Sequence, residues 1–179
     1  MELYGERGFE NTTVEDIASR AGLTERTFFR YFADKREVLF AGSSSLQELL
    51  VTTVAGVPDT AAPIEAVAAG LEAAAALLQQ RRAFARQRAA IIAASAELQE
   101  RELIKLASLA SAIAEALHNR GVSDPAASLA AEAGIAVFRI AFERWIGKGN
   151  REDLAHLIRE SLDELKAITT TGPAPVAAG

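Results

Sequence analysis

Arg26 is the side chain in this sequence best suited to reading a base. Its guanidinium fork can grip O6 and N7 of a guanine in the major groove. The plainer alternative is a solvated side chain against a neighbouring carboxylate. Glu25 beside it could accept from cytosine N4, or serve as an acid favoured by the dipole at a helix start. Lys35 stands at another expected helix start, where backbone N–H groups and the macrodipole already favour an anion such as a phosphate. Catalytic chemistry has no comparable foothold. Cysteine is absent, and the two histidines, His118 and His156, lie far apart in the chain. Neither a glycine-rich phosphate loop nor a nucleophile elbow occurs. An enzyme is not expected, and no catalytic residue, metal site or cofactor is assigned.

The segment Gly8–Phe40, GFENTTVEDIASRAGLTERTFFRYFADKREVLF, carries the elements that would position these groups. Thr12 with Glu15, or Thr13 with Asp16, can form a capping box at a helix start. Val14, Ile17, Ala18 and Ala21 recur at helical spacing as one apolar stripe. Gly22 follows where a helix-ending left-handed residue is expected, and Leu23 is expected to plug the space between helices. Thr24 caps a second helix to about Phe32, with Phe28 and Phe32 on its inner face. Glu25, Arg26, Phe29 and Arg30 fall on the others. Asp34 starts a third helix, with Glu37 completing another capping box. Two short helices joined by a tight turn hold one exposed helix at a fixed angle, as major-groove reading requires.

The string TTVEDIASRAGLTERTFFRYFADKREVL resembles the helix-turn-helix of TetR-type transcriptional regulators over about 33 residues. The Tyr31-Phe32 aromatic pair followed by Asp34-Lys35 separates it from a generic helix-turn-helix. The resemblance implies that Thr24–Phe32 enters the major groove. It implies phosphate contacts from Thr13, from the aromatic positions Phe29 and Tyr31, and from Lys35. It implies base-edge reading by Thr24, Glu25, Arg26 and Thr27. Phe29 departs from the family, which usually has tyrosine there. Without the hydroxyl that phosphate hydrogen bond is lost, leaving packing or thymine-methyl contact.

Met1–Gly8 reads as the second half of a first helix, with Leu3, Tyr4 and Phe9 packing on the motif and the earlier turns outside this sequence. Residues 1–40 carry six basic and eight acidic side chains, a net charge of −2, and the whole chain carries −5. Phosphate contacts normally supply much of DNA affinity, so binding must come from local placement of cations. The 179 residues are half hydrophobic, rich in alanine and free of cysteine. That composition favours packed helices and suits a cytoplasmic protein. No stretch of about 18 residues is both apolar and charge-free, so no membrane span is expected.

The expected fold is all-α, with about nine helices. A DNA-binding domain covers 1–40, a helical ligand-binding and dimerisation domain 41–168, and a disordered tail 169–179. The helix from Asp34 is expected to continue to about Thr53. Further helices are expected at about 61–79, 81–94, 97–119, 124–146 and 151–168, the last capped by Asn150. Leu129, Ala133, Ala136, Val137 and Ile140 form one apolar stripe. Leu154, Leu157, Ile158, Leu162 and Leu165 form another. Two such helices can build a four-helix bundle with a second subunit, or complete the monomer's core. Phe84, Ile92, Leu106, Phe138, Phe142 and Trp145 are candidate walls of an apolar pocket. Arg88 belongs to a cationic cluster with Arg81, Arg82 and Arg86, followed by Arg101 and Lys105. Such a pocket would suit an amphipathic anion, a fatty acid or an acyl-CoA. A solvated basic helix face is the plainer reading, and a flat cation on the aromatics is a rival ligand class. Residues 88–121 and 138–158 also resemble, more loosely, the C-terminal domain of the mycofactocin-regulator branch of the family. The function expected from all this is a dimeric, ligand-responsive regulator, most often a repressor in this family, on a palindromic operator. The alternative is a helical protein-interaction module that has lost specific DNA binding.

Overall fold

A computed structural model describes residues 1–170. Among them are nine α-helices and no strand. The segment beyond Thr170, most of the expected 169–179 tail, lies outside the described residues, whereas residues 169 and 170 close the last helix.

Helix α1 is Glu2–Arg7, α2 is Val14–Arg20 and α3 is Glu25–Tyr31. The box at the start of α2 is the Thr13–Asp16 one: the Thr13 hydroxyl accepts from Asp16 N, and Asp16 Oδ2 accepts from Thr13 N at 2.9 Å. Thr12 is instead buried, its hydroxyl donating to the Gly8 carbonyl at 2.7 Å. The end of α2 closes through Leu23 N to Ala18 O at 2.8 Å and Gly22 N to Ser19 O at 3.0 Å, satisfying two orphan carbonyls. This backbone role turns the Leu23 side chain outward. It is exposed rather than the expected plug.

The helix expected from Asp34 to Thr53 is two pieces. A 3₁₀ turn, Lys35–Val38, follows the Asp34 cap, and α4 begins at Ser43 and runs to Gly56. Gly42 between them has φ +88°, a left-handed conformation that interrupts the helical hydrogen-bond run. The Asp34 carboxylate accepts from Arg36 N and Glu37 N, but Glu37 does not reach back to complete a box. Its carboxylate is drawn to Arg101 and Lys105.

The remaining helices are α5 Pro63–Gln79, α6 Arg82–Ala93, α7 Ala96–Asn119, α8 Asp124–Ile146 and α9 Leu154–Thr170. Asp153, not Asn150, caps α9, accepting from Ala155 N at 2.8 Å and His156 N at 3.3 Å. The described chain forms two compact units. One joins residues 1–48 to 81–109, so the reader carries α6 and the first part of α7 with it. The other holds 49–80 and the residues from 110 on.

The first unit is built on Tyr4, Phe9, Leu39, Phe40, Ile91, Ile92 and Leu98, with Ile17 and Val38 packed against them. The Tyr4 hydroxyl donates to the Lys35 carbonyl at 2.5 Å, and burial, helped by the nearby Asp34 charge, raises its pKa. In the second unit α5, α8 and α9 pack on one another. The α9 stripe of Leu154, Leu157, Ile158 and Leu162 is buried there, so it completes the core of the single chain. The α8 helix is divided. Val137, Ala141 and Trp145 face inward, whereas Leu129, Ala136 and Ile140 remain exposed. By length and composition α8 alone among the described residues could cross a bilayer, yet its inward residues are packed as a core helix.

Candidate nucleic-acid interface

The α2–α3 pair presents one face of α3 to solvent. Phe28 is buried and anchors it, contacting Phe32 at 5.3 Å and Phe29 edge-on at 5.4 Å between ring centroids. Thr24 begins the helix, its hydroxyl oxygen accepting from Thr27 N at 3.2 Å and sharing a hydrogen bond with the Thr27 hydroxyl at 3.1 Å. Glu25 and Arg26 stand exposed in the first turn, where side chains of a recognition helix meet base edges. Phe29 is 54% exposed and Tyr31 66%.

Arg30, which was not singled out as a site residue, joins this face. Its guanidinium lies over the Tyr31 ring at 4.9 Å, and its Nη2 donates to the Tyr31 hydroxyl at 3.1 Å. That leaves the hydroxyl hydrogen directed elsewhere, and a phosphate oxygen would take it. The only sequence signal for Arg30 is its place next to Tyr31 on an outward helix face.

Two expected phosphate contacts are otherwise engaged. The Thr13 N–H and hydroxyl both donate to Asp16 Oδ2, at 2.9 and 2.8 Å. These Thr13 bonds, with Arg7 at 3.1 Å, hold the Asp16 carboxyl below its usual range. Asp16 is thus a built-in anion at the α2 N-terminus. The Lys35 ammonium donates to the carbonyls of Phe9 at 2.9 Å, Thr12 at 3.0 Å and Glu10 at 3.4 Å, and lies 4.3 Å from the Phe9 ring centroid. An ammonium has three donors, and all three are committed to backbone. In this structure Lys35 clasps the turn before α2.

The expected ligand residues fall in different units. Phe84, Arg88, Ile92 and Leu106 belong with the reader, and Phe138, Phe142 and Trp145 belong to the other unit. Phe84 is exposed and Leu106 half-buried. Ile92 is buried in the reader's own core. Arg88 is also spent internally. Its Nε donates to Leu39 O at 2.8 Å, its Nη1 to Glu102 at 2.9 Å, and it covers the Phe40 ring at 4.9 Å. Phe138, Phe142 and Trp145 do cluster, with successive centroids 5.6 Å apart, and Trp145 is fully buried. A cleft of about 310 Å³ opens beside α1, lined by Leu3, Tyr4, Ile17, Arg20 and Val38 among others, and shares no residue with the expected ligand set.

The two histidines do not share a carboxylate. His118 Nδ1 pairs with Asp124 at 2.8 Å. His156 meets Glu160 at 3.5 Å and Glu152 at 3.9 Å. These last three side chains could hold a cation, but Glu160 already accepts from Arg144 at 2.8 Å, and all three are exposed.

Comparison with known proteins follows this division of the chain. Residues 1–41 match the family described as bacterial regulatory proteins, tetR family, and residues 61–170 match the MftR C-terminal domain. The HTH-type transcriptional regulator TcmR of Streptomyces glaucescens is 38% identical over 66 residues, which is 37% of this chain and 29% of that relative. Among solved structures, FadR of Thermus thermophilus, a TetR-family transcriptional repressor in complex with lauroyl-CoA, shares the fold. It has a TM-score of 0.54 and 23% identity over 100% of this chain and 95% of its own. With its helix-turn-helix matched at one end and a family C-terminal domain along most of the rest, the chain belongs to the TetR family of DNA-binding transcriptional regulators, which are not enzymes.

Proposed function

We propose that the protein is a cytoplasmic, dimeric, ligand-responsive repressor. It reads a palindromic operator through α3 and is released by a hydrophobic or amphipathic small molecule. The observation that carries this reading is the outward face of α3, where Thr24, Glu25, Arg26, Phe29, Arg30 and Tyr31 stand free of the core. Arg26 supplies the base-reading fork, with Thr24, Glu25 and Thr27 beside it. Tyr31 and Arg30 serve the flanking phosphates, whereas Phe29 gives apolar contact only.

One recognition helix reads too few base pairs, and two must stand about 34 Å apart to enter successive major grooves. The exposed Leu129, Ala136 and Ile140 on α8 support pairing of α8 with its copy in a second subunit. The match to the MftR C-terminal domain and the fold shared with a lauroyl-CoA complex support an acyl-CoA or fatty acid as effector, with Phe138 and Phe142 at its acyl chain. An effector that binds one arrangement of the body better than the other shifts the population and changes the separation of the readers. The net charge of −2 over residues 1–40 and the missing hydroxyl at Phe29 favour one competing reading, a helical module without specific DNA binding.

The test is fluorescence anisotropy of the purified protein on DNA from around its own gene, at two salt concentrations, with and without lauroyl-CoA. Specific binding released by lauroyl-CoA is the expected result. Specific binding indifferent to it keeps the regulator and discards that effector class. Absence of specific binding hands the case to the competing reading.

A further inference from the structure

The carboxylate of Glu37, in the 3₁₀ turn after the recognition helix, is held by two cations of α7 from far along the chain. Arg101 donates to it through Nε at 2.8 Å and also through Nη2, and Lys105 donates through Nζ at 3.2 Å. The Glu37 side chain is only 20% exposed, and its partners are 32% and 31% exposed. By contrast, Arg20 with Glu2 and Glu6 forms a surface network in which every side chain is 46% exposed or more. Ion pairs of that second kind contribute little, whereas a sheltered carboxylate accepting three charged hydrogen bonds is much harder to replace by water. Burial by itself would raise the pKa of Glu37, yet the Arg101 and Lys105 bonds leave it lowered.

Further contacts tie the reader to α6 and α7. Arg36 Nη1 pairs with Glu97 at 3.1 Å. Arg88 of α6 donates to Leu39 O at 2.8 Å and to Glu102 at 2.9 Å, bridging the reader's backbone to α7. Ser95 donates to Glu10 at 3.3 Å. Three of the cations that looked in sequence like a ligand's anion cradle, Arg88, Arg101 and Lys105, thus serve carboxylates and carbonyls of the same chain.

We infer that Glu37 is a positioning residue for DNA reading: with Arg101 and Lys105 it locks the turn behind α3 to α7, so that the set of α3 follows α7. Leu39 and Phe40 already share a core with Ile91, Ile92 and Leu98; the lock adds to it a charged attachment that begins six residues after Tyr31. The α7 helix is continuous from Ala96 to Asn119, and its residues from 110 on belong to the other compact unit. Displacement of α7 is therefore carried to Glu37 without touching any group on the DNA-facing side of α3. The inference rests on DNA binding by α3 and not on any particular effector.

The test uses Glu37→Gln, Arg101→Glu and the swapped pair Glu37→Arg with Arg101→Glu in the full chain. In the free protein, amide hydrogen exchange over 34–40 and 98–106 is expected to rise together in each single variant. It is expected to return toward the wild-type rate in the swapped pair. On the operator, each single variant is expected to lose about 5–50-fold in affinity, within the usual range of coupling effects, and the pair to regain most of it. A merely structural role would lower affinity in proportion to the thermal midpoint and show no recovery in the pair. That outcome, or independent exchange in the two segments, overturns the lock. Should the wild-type protein find no specific operator, the regulator reading falls, and the exchange measurement on free protein still decides the lock.

Discussion

The Lys35 ammonium lies 3.0 Å from the Thr12 carbonyl oxygen, one residue before the cap of α2, and so closes the turn on which the recognition helix rests. Replacing it with methionine leaves the carbonyls of Phe9 and Thr12 without their charged donor. Removal of one partner from such a contact costs about 1–3 kcal/mol, and that loss is expected in denaturant unfolding of Lys35→Met. A lysine on a phosphate would leave a different trace. The slope of log affinity against log salt would fall by about one. With Lys35 acting as a clasp the slope stays unchanged, and a slope reduced by one would return the residue to the phosphate.

Arg26→Ala removes an exposed side chain from α3, so the fold is expected to keep its thermal midpoint. Operator affinity is expected to drop by about 1–3 kcal/mol, with discrimination relaxed at a single base position. Competition against a set of operators changed one base pair at a time measures this. A uniform loss at every position would show that the guanidinium serves the backbone instead.

Ile140 is 55% exposed and Leu129 72%, on a helix whose other side is core. Ile140→Arg puts a charge where α8 is proposed to meet its copy, without disturbing the inward residues. Sedimentation at micromolar concentration is expected to shift from dimer to monomer, and specific operator binding to collapse with it. An unchanged dimer would move the interface off this face.

Gly134 faces Val67 so closely that a Cβ there would overlap Val67 Cγ1. Gly134→Ala is expected to destabilise the protein by about 1–3 kcal/mol through overpacking. Part of that cost should vanish when Val67→Ala is added, because the two positions share one contact. Equal stability of Gly134→Ala and wild type in urea would mean that α5 and α8 can part at no cost.

Acid should undo the reader's ion pairs. The carboxyls of Asp34 and Glu37 are both held below their usual values of 3.8 and 4.5. For Asp34 the Arg36 side chain is the main cause; for Glu37, Arg101 and Lys105 outweigh the upward push of burial. A depressed native pKa stabilises the fold fully above the ordinary value. That stabilisation is lost as the pH falls from there through the native pKa. The thermal midpoint of Glu37→Gln should lie below that of wild type at pH 7, and the gap should close below about pH 4.5. A gap that persists undiminished at pH 3 would mean that Glu37 stabilises by shape and not by charge.

Features that depend on neighbours within four residues were legible without the fold. Thr13 with Asp16 opens α2, and Thr24 caps α3. The threonine caps are contacts between i and i+3, which the sequence offers as a short set of alternatives, whereas the equally local Asp34–Glu37 box fails because Glu37 is drawn to Arg101 and Lys105. The inward phase of α3 was legible for the same reason, since Phe28 and Phe32 are one turn apart. The tertiary structure alone decided where the cations go. Arg88 reaches Leu39 across 49 positions, and Arg101 and Lys105 reach Glu37 across 64 and 68. A cluster of basic residues has the same local pattern whether it faces a ligand, water or its own chain. The partner is chosen by which carboxylates and carbonyls the packing of Ile91, Ile92 and Leu98 on Leu39 and Phe40 brings within reach.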